Sequence, residues 1–198
     1  MSKVSLVRLG VLAMAAISAL APAGLGAQAA KDAELRLIPE SRVERLAGVW
    51  VDGAYVGYVD EFKGRTTLSL TPGKHTLLIR EKGMKDMSRD LDLAPGGALD
   101  LTVKMLEPEP EAGPAGETGD LKINVFPDSA AVFVDGRFEG PVVQFGGITR
   151  TLKLSAGKHD VKISQSGYQD YVTTVDIEAN QQSTIENRLD PVAGSTKD

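Results

Sequence analysis

The 198-residue sequence has no cysteine, two histidines and ten aromatic side chains, one Trp, four Tyr and five Phe. Without thiols there is no disulfide framework and no Cys-ligated zinc or iron–sulfur site. Positive charge is in short supply, with 22 Lys and Arg against 27 Asp and Glu. A general nucleic-acid surface needs a basic face, so nucleic acid is excluded as an expected partner. Beyond the first twenty residues no apolar run is long enough to span a bilayer.

What is present starts at the N-terminus. Lys3 and Arg8 precede an apolar run from Leu9 to Leu20, followed by Pro22, Gly24 and Ala27-Gln28-Ala29. A basic start, a short apolar stretch and an A-x-A site form the layout of a secretory signal peptide over residues 1–29. An uncleaved membrane anchor would have to continue through Pro22, Gly24 and Gly26, which weaken the end of a spanning helix. The expectation is an exported chain, periplasmic or at the cell surface, with no transmembrane segment after cleavage. That compartment permits disulfides and the chain uses none, so stability has to come from packed apolar faces.

The architecture is set by a duplication. Val49-Trp50-Val51-Asp52-Gly53 returns as Val132-Phe133-Val134-Asp135-Gly136, and Gly57 as Gly140, at an offset of 83 residues. Gly73-Lys74-His75 returns as Gly157-Lys158-His159, and Gly83 as Gly167, at an offset of 84. Between the copies, residues 107–120 (EPEPEAGPAGETGD) hold Pro, Gly and acidic residues and no large apolar ones. Such a segment has nothing to bury and reads as a semi-stiff linker. The expected units are a first β domain over 33–106, the linker over 107–120, a second β domain over 121–190 and a frayed tail over 191–198.

Period-two alternation identifies strands. His159 to Ser164 and Leu99 to Met105 alternate polar and apolar side chains, which a pleated strand sorts onto two faces and a helix would scatter. Asp90 to Leu93 and Val172 to Ile177 fit as well, and Glu40 to Leu46 is expected to make one helical turn. Asp52-Gly53 and Asp135-Gly136 have the chemistry of two-residue hairpin turns. The turns at Gly73 and Gly157 are expected to do the same for later strand pairs. The fold class is therefore all-β, two tandem small antiparallel β-sandwiches.

The second copy resembles a PEGA-domain module. The likeness rests on Phe126-Pro127-Asp128-Ser129-Ala130-Ala131 at the place of the Pro-Glu-Gly-Ala signature, then on Val132 to Gly136, Leu154 to His159 and Gly167-Tyr168. Asp128 and Ser129 replace the Glu and Gly of the signature. The first copy is PEGA-like but more divergent. Nine residues separate Pro39 from Val49 where four separate Pro127 from Val132, and Met84 stands where Tyr168 does. The resemblance implies a tandem, all-β protein of the bacterial cell envelope, with no catalytic residues to carry over.

Candidate chemistry is sparse. His75 and His159 fall at equivalent strand starts in different modules, so they are not expected to converge on a metal. Asp52 and Asp135 are expected as turn residues, with no Ser–His–Asp arrangement supported locally. Arg80, Lys82, Lys85 and Arg89 crowd one loop, read as a solvated hairpin tip rather than a site for an anionic polymer. Trp50, Tyr55 and Tyr58 are the candidate ligand-binding residues, as a strip for stacking sugars; against this, Trp50 aligns with Phe133 and Tyr55 with Phe138 in the other copy, which points to core or sheet-face packing at equivalent positions. The expectation is a non-enzymatic scaffold that binds an envelope protein or glycan, without metal or cofactor. The alternative is a carbohydrate- or peptidoglycan-binding module.

Overall fold

A computed structural model describes residues 31–108, 113–114 and 116–192. The segment read as a signal peptide, the middle of the linker and the tail from residue 193 lie outside the described residues. The chain is all-β, in two sandwich modules with the same topology. The first runs through β1 (Ala33–Pro39), β2 (Gly48–Val51), β3 (Ala54–Tyr58), β4 (Leu68–Leu70), β5 (Gly73–Arg80), β6 (Met84–Lys85), β7 (Met87–Leu93), β8 (Ala98–Val103) and β9 (Leu106–Pro108). The second runs through β10 (Thr118–Phe126), β11 (Ala131–Val134), β12 (Arg137–Pro141), β13 (Leu152–Ser155), β14 (Gly157–Ser164), β15 (Tyr171–Ile177) and β16 (Gln182–Arg188).

Each module stacks a three-stranded sheet on a four-stranded one. In the first the orders are β4-β1-β8 and β3-β2-β5-β7; in the second they are β13-β10-β16 and β12-β11-β14-β15. The four-stranded sheets are antiparallel throughout, but β1 runs parallel to β8 and β10 parallel to β16. The sandwiches are thus mixed rather than wholly antiparallel. Period-two alternation is the same for both strand directions, so the sequence pattern is silent on this point.

The alternation becomes burial directly. In β10 the side chains of Leu121, Ile123 and Val125 point inward while their neighbours stay partly open. They meet Val132, Val134, Val161, Ile163 and Ile185 in one core; Leu35, Leu37, Val49, Leu77, Ile79 and Val103 form the equivalent core of the first module. Truncating any of these leucines or isoleucines to Ala would cost about 2–5 kcal/mol. The first module's extra residues make a single turn of 3-10 helix, Glu44–Leu46, as the sequence led one to expect. Burial opposes ionisation of the Glu44 carboxyl, but hydrogen bonds from the Ser41 hydroxyl and the Met105 and Ser41 backbone N–H outweigh it and lower its pKa.

Two expectations about connections are corrected. The turns at Gly73 and Gly157 are not hairpins: β4 belongs to one sheet and β5 to the other, so each turn carries the chain across the sandwich. The linker is also shorter than its composition suggests. β9 pairs with β6 through Met84↔Pro108, and β10 already pairs with β13 at Thr118↔Ser155. Gly119, which reads as a linker glycine, is buried in β10, where an added Cβ would lie 2.4 Å from the Glu178 carbonyl oxygen.

Candidate functional site

The same polar device is built twice, at the two Asp-Gly hairpins. Asp52 and Asp135 take positive φ of 51° and 50°, followed by Gly53 at 82° and Gly136 at 80°, the backbone of a two-residue turn whose twist matches its strands. The strand that starts beside each turn supplies a histidine. His75 Nδ1–H donates to Asp52 Oδ2 at 2.7 Å and Nε2–H to the Thr71 carbonyl at 2.8 Å. His159 repeats this with Asp135 Oδ2 at 2.7 Å and the Ser155 carbonyl at 3.0 Å. The other oxygen of each aspartate accepts a backbone N–H, from Thr76 or Asp160.

In the second module these contacts create a Ser–His–Asp geometry, because Ser155 Oγ lies 3.2 Å from His159 Nε2. Sequence reasoning missed it: the residues sit at 135, 155 and 159 and only the sandwich brings the turn to the strand start. Thr71 and His75 are the looser counterpart at 3.5 Å. Ser155 brings both its hydroxyl and its carbonyl oxygen to Nε2. A general base needs a free lone pair on Nε2, and that nitrogen faces a carbonyl oxygen, an acceptor. Carbonyl and carboxylate acceptors at both nitrogens favour the cationic form of each imidazole. The bond to Asp52 raises the pKa of His75, aided by the Thr71 carbonyl. Burial works against the charge on His159, but Asp135 and the Ser155 carbonyl outweigh it and the net shift is upward. The aspartates move the other way, lowered first by their histidine partners. Each pair clamps a turn to a neighbouring strand. Among the described residues no group of three or more His, Cys, Asp or Glu is placed to hold a metal ion.

The aromatic strip has a different fate. Trp50 and Tyr55 are 8% and 6% exposed, and Phe138 of the other module is 7% exposed. Their rings meet in a third apolar cluster, a seam between the modules, completed by Ala131 and flanked by Leu78 and Phe133. Phe138 stands edge-on to Trp50 with centroids 4.9 Å apart and planes at 82°. Gly48 makes room for it, since a Cβ there would lie 2.7 Å from Phe138 Cζ. Arg80 covers Trp50 from outside, 5.6 Å from the ring centroid. Trp50 and Tyr55 therefore offer no open ring face for a sugar. Tyr58 is half-buried and donates its backbone N–H to Glu61. Trp50 and Tyr55 are packed, as their alignment with Phe133 and Phe138 suggests, but against the other module rather than in the core of their own.

Polar contacts frame the seam. Tyr55 donates its hydroxyl to the Ser129 carbonyl at 2.7 Å, and burial pushes its pKa far up. Gln165 Nε2–H donates to the Val56 carbonyl at 3.1 Å, and Ser166 N–H to the Tyr55 carbonyl at 3.2 Å. Lys82 pairs with Glu139 across the seam. Beside it, burial raises the Glu81 carboxyl to about 7, and a hydrogen bond from Gln144 offsets part of that. Of the four basic residues expected to crowd one loop, Arg80 ends β5, Lys85 lies in β6 and Arg89 in β7, and Arg80 also pairs with Asp86 at 2.6 Å.

The family model of the PEGA domain matches residues 118–193, the whole of the second sandwich from the first residue of β10. Residues 118–193 are a PEGA domain. Phe133 and Phe138 of the seam, Asp135 and His159 of the clamp all lie inside this domain. No curated protein matches the chain. Among solved structures the chain is similar to the TIE protein of Bacillus anthracis, at 14% identity and a TM-score of 0.27. That likeness covers 80% of this chain and 34% of the other, so the chain spans about a third of the length of that protein. Among the described residues no helix is long and apolar enough to cross a membrane.

Proposed function

We propose that the chain is a non-enzymatic scaffold of the bacterial cell envelope, exported from the cytoplasm, with a divergent PEGA-like copy as its first module. The observation that carries this reading is the seam. Two sandwiches that could have hung on a linker are instead packed through Trp50, Tyr55 and Phe138, which makes one unit with its edge strands outward. β7 and β15 are the end strands of their sheets, and Val172 on β15 is 67% exposed. An outer strand of that kind offers unpaired backbone groups to a protein partner. Histidines locked between two acceptors are consistent with the same role. Trp50 and Tyr55 lack an open face, so an envelope protein is favoured over a glycan as partner.

Photo-crosslinking in intact cells tests the reading. A crosslinker in place of Val172 should give adducts with an envelope protein, and fractionation should find the chain outside the cytoplasm. Turnover of an envelope substrate by the purified chain, lost in Ser155→Ala with the fold intact, would replace the scaffold with an enzyme.

A further inference from the structure

The seam has an internal symmetry that neither module needs for its own core. Tyr55 and Phe138, at its centre, occupy the same position in the two repeats, with ring centroids 6.3 Å apart. On one side of this pair the loop after β14 reaches β3, through Gln165 to Val56 and Ser166 to Tyr55. On the other side the loop after β5 reaches β12, through Lys82 to Glu139, while Glu81 meets Gln144. By the repeat offsets Glu81 corresponds to Gln165, Lys82 to Ser166 and Val56 to Glu139. Element for element the two sides correspond, the loop after β14 on β3 and the loop after β5 on β12, although the residue pairs differ: Gln165–Val56 maps onto Glu81–Glu139, whereas the pair formed is Lys82–Glu139. This is the reciprocity of an isologous interface, where one patch meets its own copy about a two-fold axis.

The geometry points to a second copy of this chain as a partner for that face. The first module of one chain seats on the second module of another, and reciprocally, in an exchanged dimer with two seams. Each exchanged seam repeats the contacts of the closed chain, so no new surface is required. The tether between modules gives the closed form a high effective concentration, which keeps the single chain closed when dilute. Exchange grows as the chain is concentrated or its own seam is weakened. The inference rests on module packing and is independent of the envelope role.

The Lys82–Glu139 pair supplies a test that leaves both cores untouched. In Lys82→Glu the closed seam sets two carboxylates against each other, and in Glu139→Lys two ammonium groups. An exchanged heterodimer of the two variants satisfies both seams at once, one with the original pair and one with the reversed pair. Size-exclusion chromatography with light scattering on the equal mixture should show a species of twice the chain mass, about tenfold more abundant than in either variant alone. Carrying both changes in one chain should restore the closed monomer. A mixture that stays at single-chain mass while the double variant closes overturns the proposal. If either charge reversal fails to fold, Tyr55→Ala mixed with Phe138→Ala, which keeps one intact seam in the heterodimer, decides by the same measurement.

Discussion

Replacing Phe138 with Ala separates the stability of the seam from the stability of the modules. The ring is 7% exposed and belongs to neither module core. Its neighbours are Trp50 at 4.9 Å and Tyr55 at 6.3 Å across the seam, and Phe133 at 5.7 Å in its own module. Truncating a buried Phe costs about 3–5 kcal/mol in transfer and cavity terms. With about half of the ring's surroundings across the seam, the closed state loses about 2 kcal/mol, a shift of about 30-fold in its ratio to the open state. Trp50 is the only tryptophan, so its emission reports on the seam alone. In Phe138→Ala the emission should move to the red and acrylamide quenching should rise, with the far-UV circular dichroism of the two sandwiches unchanged. If Trp50 remains as shielded as before while the fold persists, Phe138 does not cover it and the seam is drawn wrongly.

Three further outcomes are expected. Glu81 has a folded pKa of about 7, above an ordinary carboxyl at 4.5, so its contribution is complete below pH 4.5 and is lost as the pH rises to 7. That amounts to about 3 kcal/mol of folding stability; Glu81→Gln, the residue found at the equivalent Gln165, should flatten this part of the dependence of the melting temperature on pH. The histidine clamps slope the same way at higher pH: with a raised folded pKa, their stabilisation is present below 6.5 and fades as the pH passes the folded value. The lowered aspartates add an acid limit, their share vanishing as the pH falls through their folded values. His159→Gln should therefore lower the melting temperature more at pH 5.5 than at pH 9, and equal drops would refute the charged clamp. Gly136→Val should cost about 1–3 kcal/mol through backbone strain at φ 80°, seen in thermal melts, because the added Cβ meets no atom within 4 Å and the backbone conformation is what the β-branched residue resists.

The strands were legible wherever one face is buried and the other wet, as in β14 and β15. The Asp-Gly turns were legible because positive φ at two successive residues demands their chemistry. The turns at Gly73 and Gly157 were misread because a cross-over between sheets uses the same residues as a hairpin. Gly119 was misread because a glycine required by close backbone approach looks like one that loosens a linker. The His–Asp clamps left a trace in the repeated Asp-Gly and Gly-Lys-His blocks, but their pairing across 23 and 24 residues had no local sign.

The sequence by itself determined the duplication, the all-β class, the two hairpins and the PEGA signature of the second module. These follow from short-range rules, side-chain alternation and turn backbone, which act over a few residues. Only the tertiary structure decided that β1 and β8 run parallel, that Ser155, His159 and Asp135 meet, and that Trp50 and Tyr55 face Phe138 rather than solvent. Each depends on which surfaces come together across the chain, and an aromatic side chain on a strand has the same local pattern whether it awaits a ligand or another module.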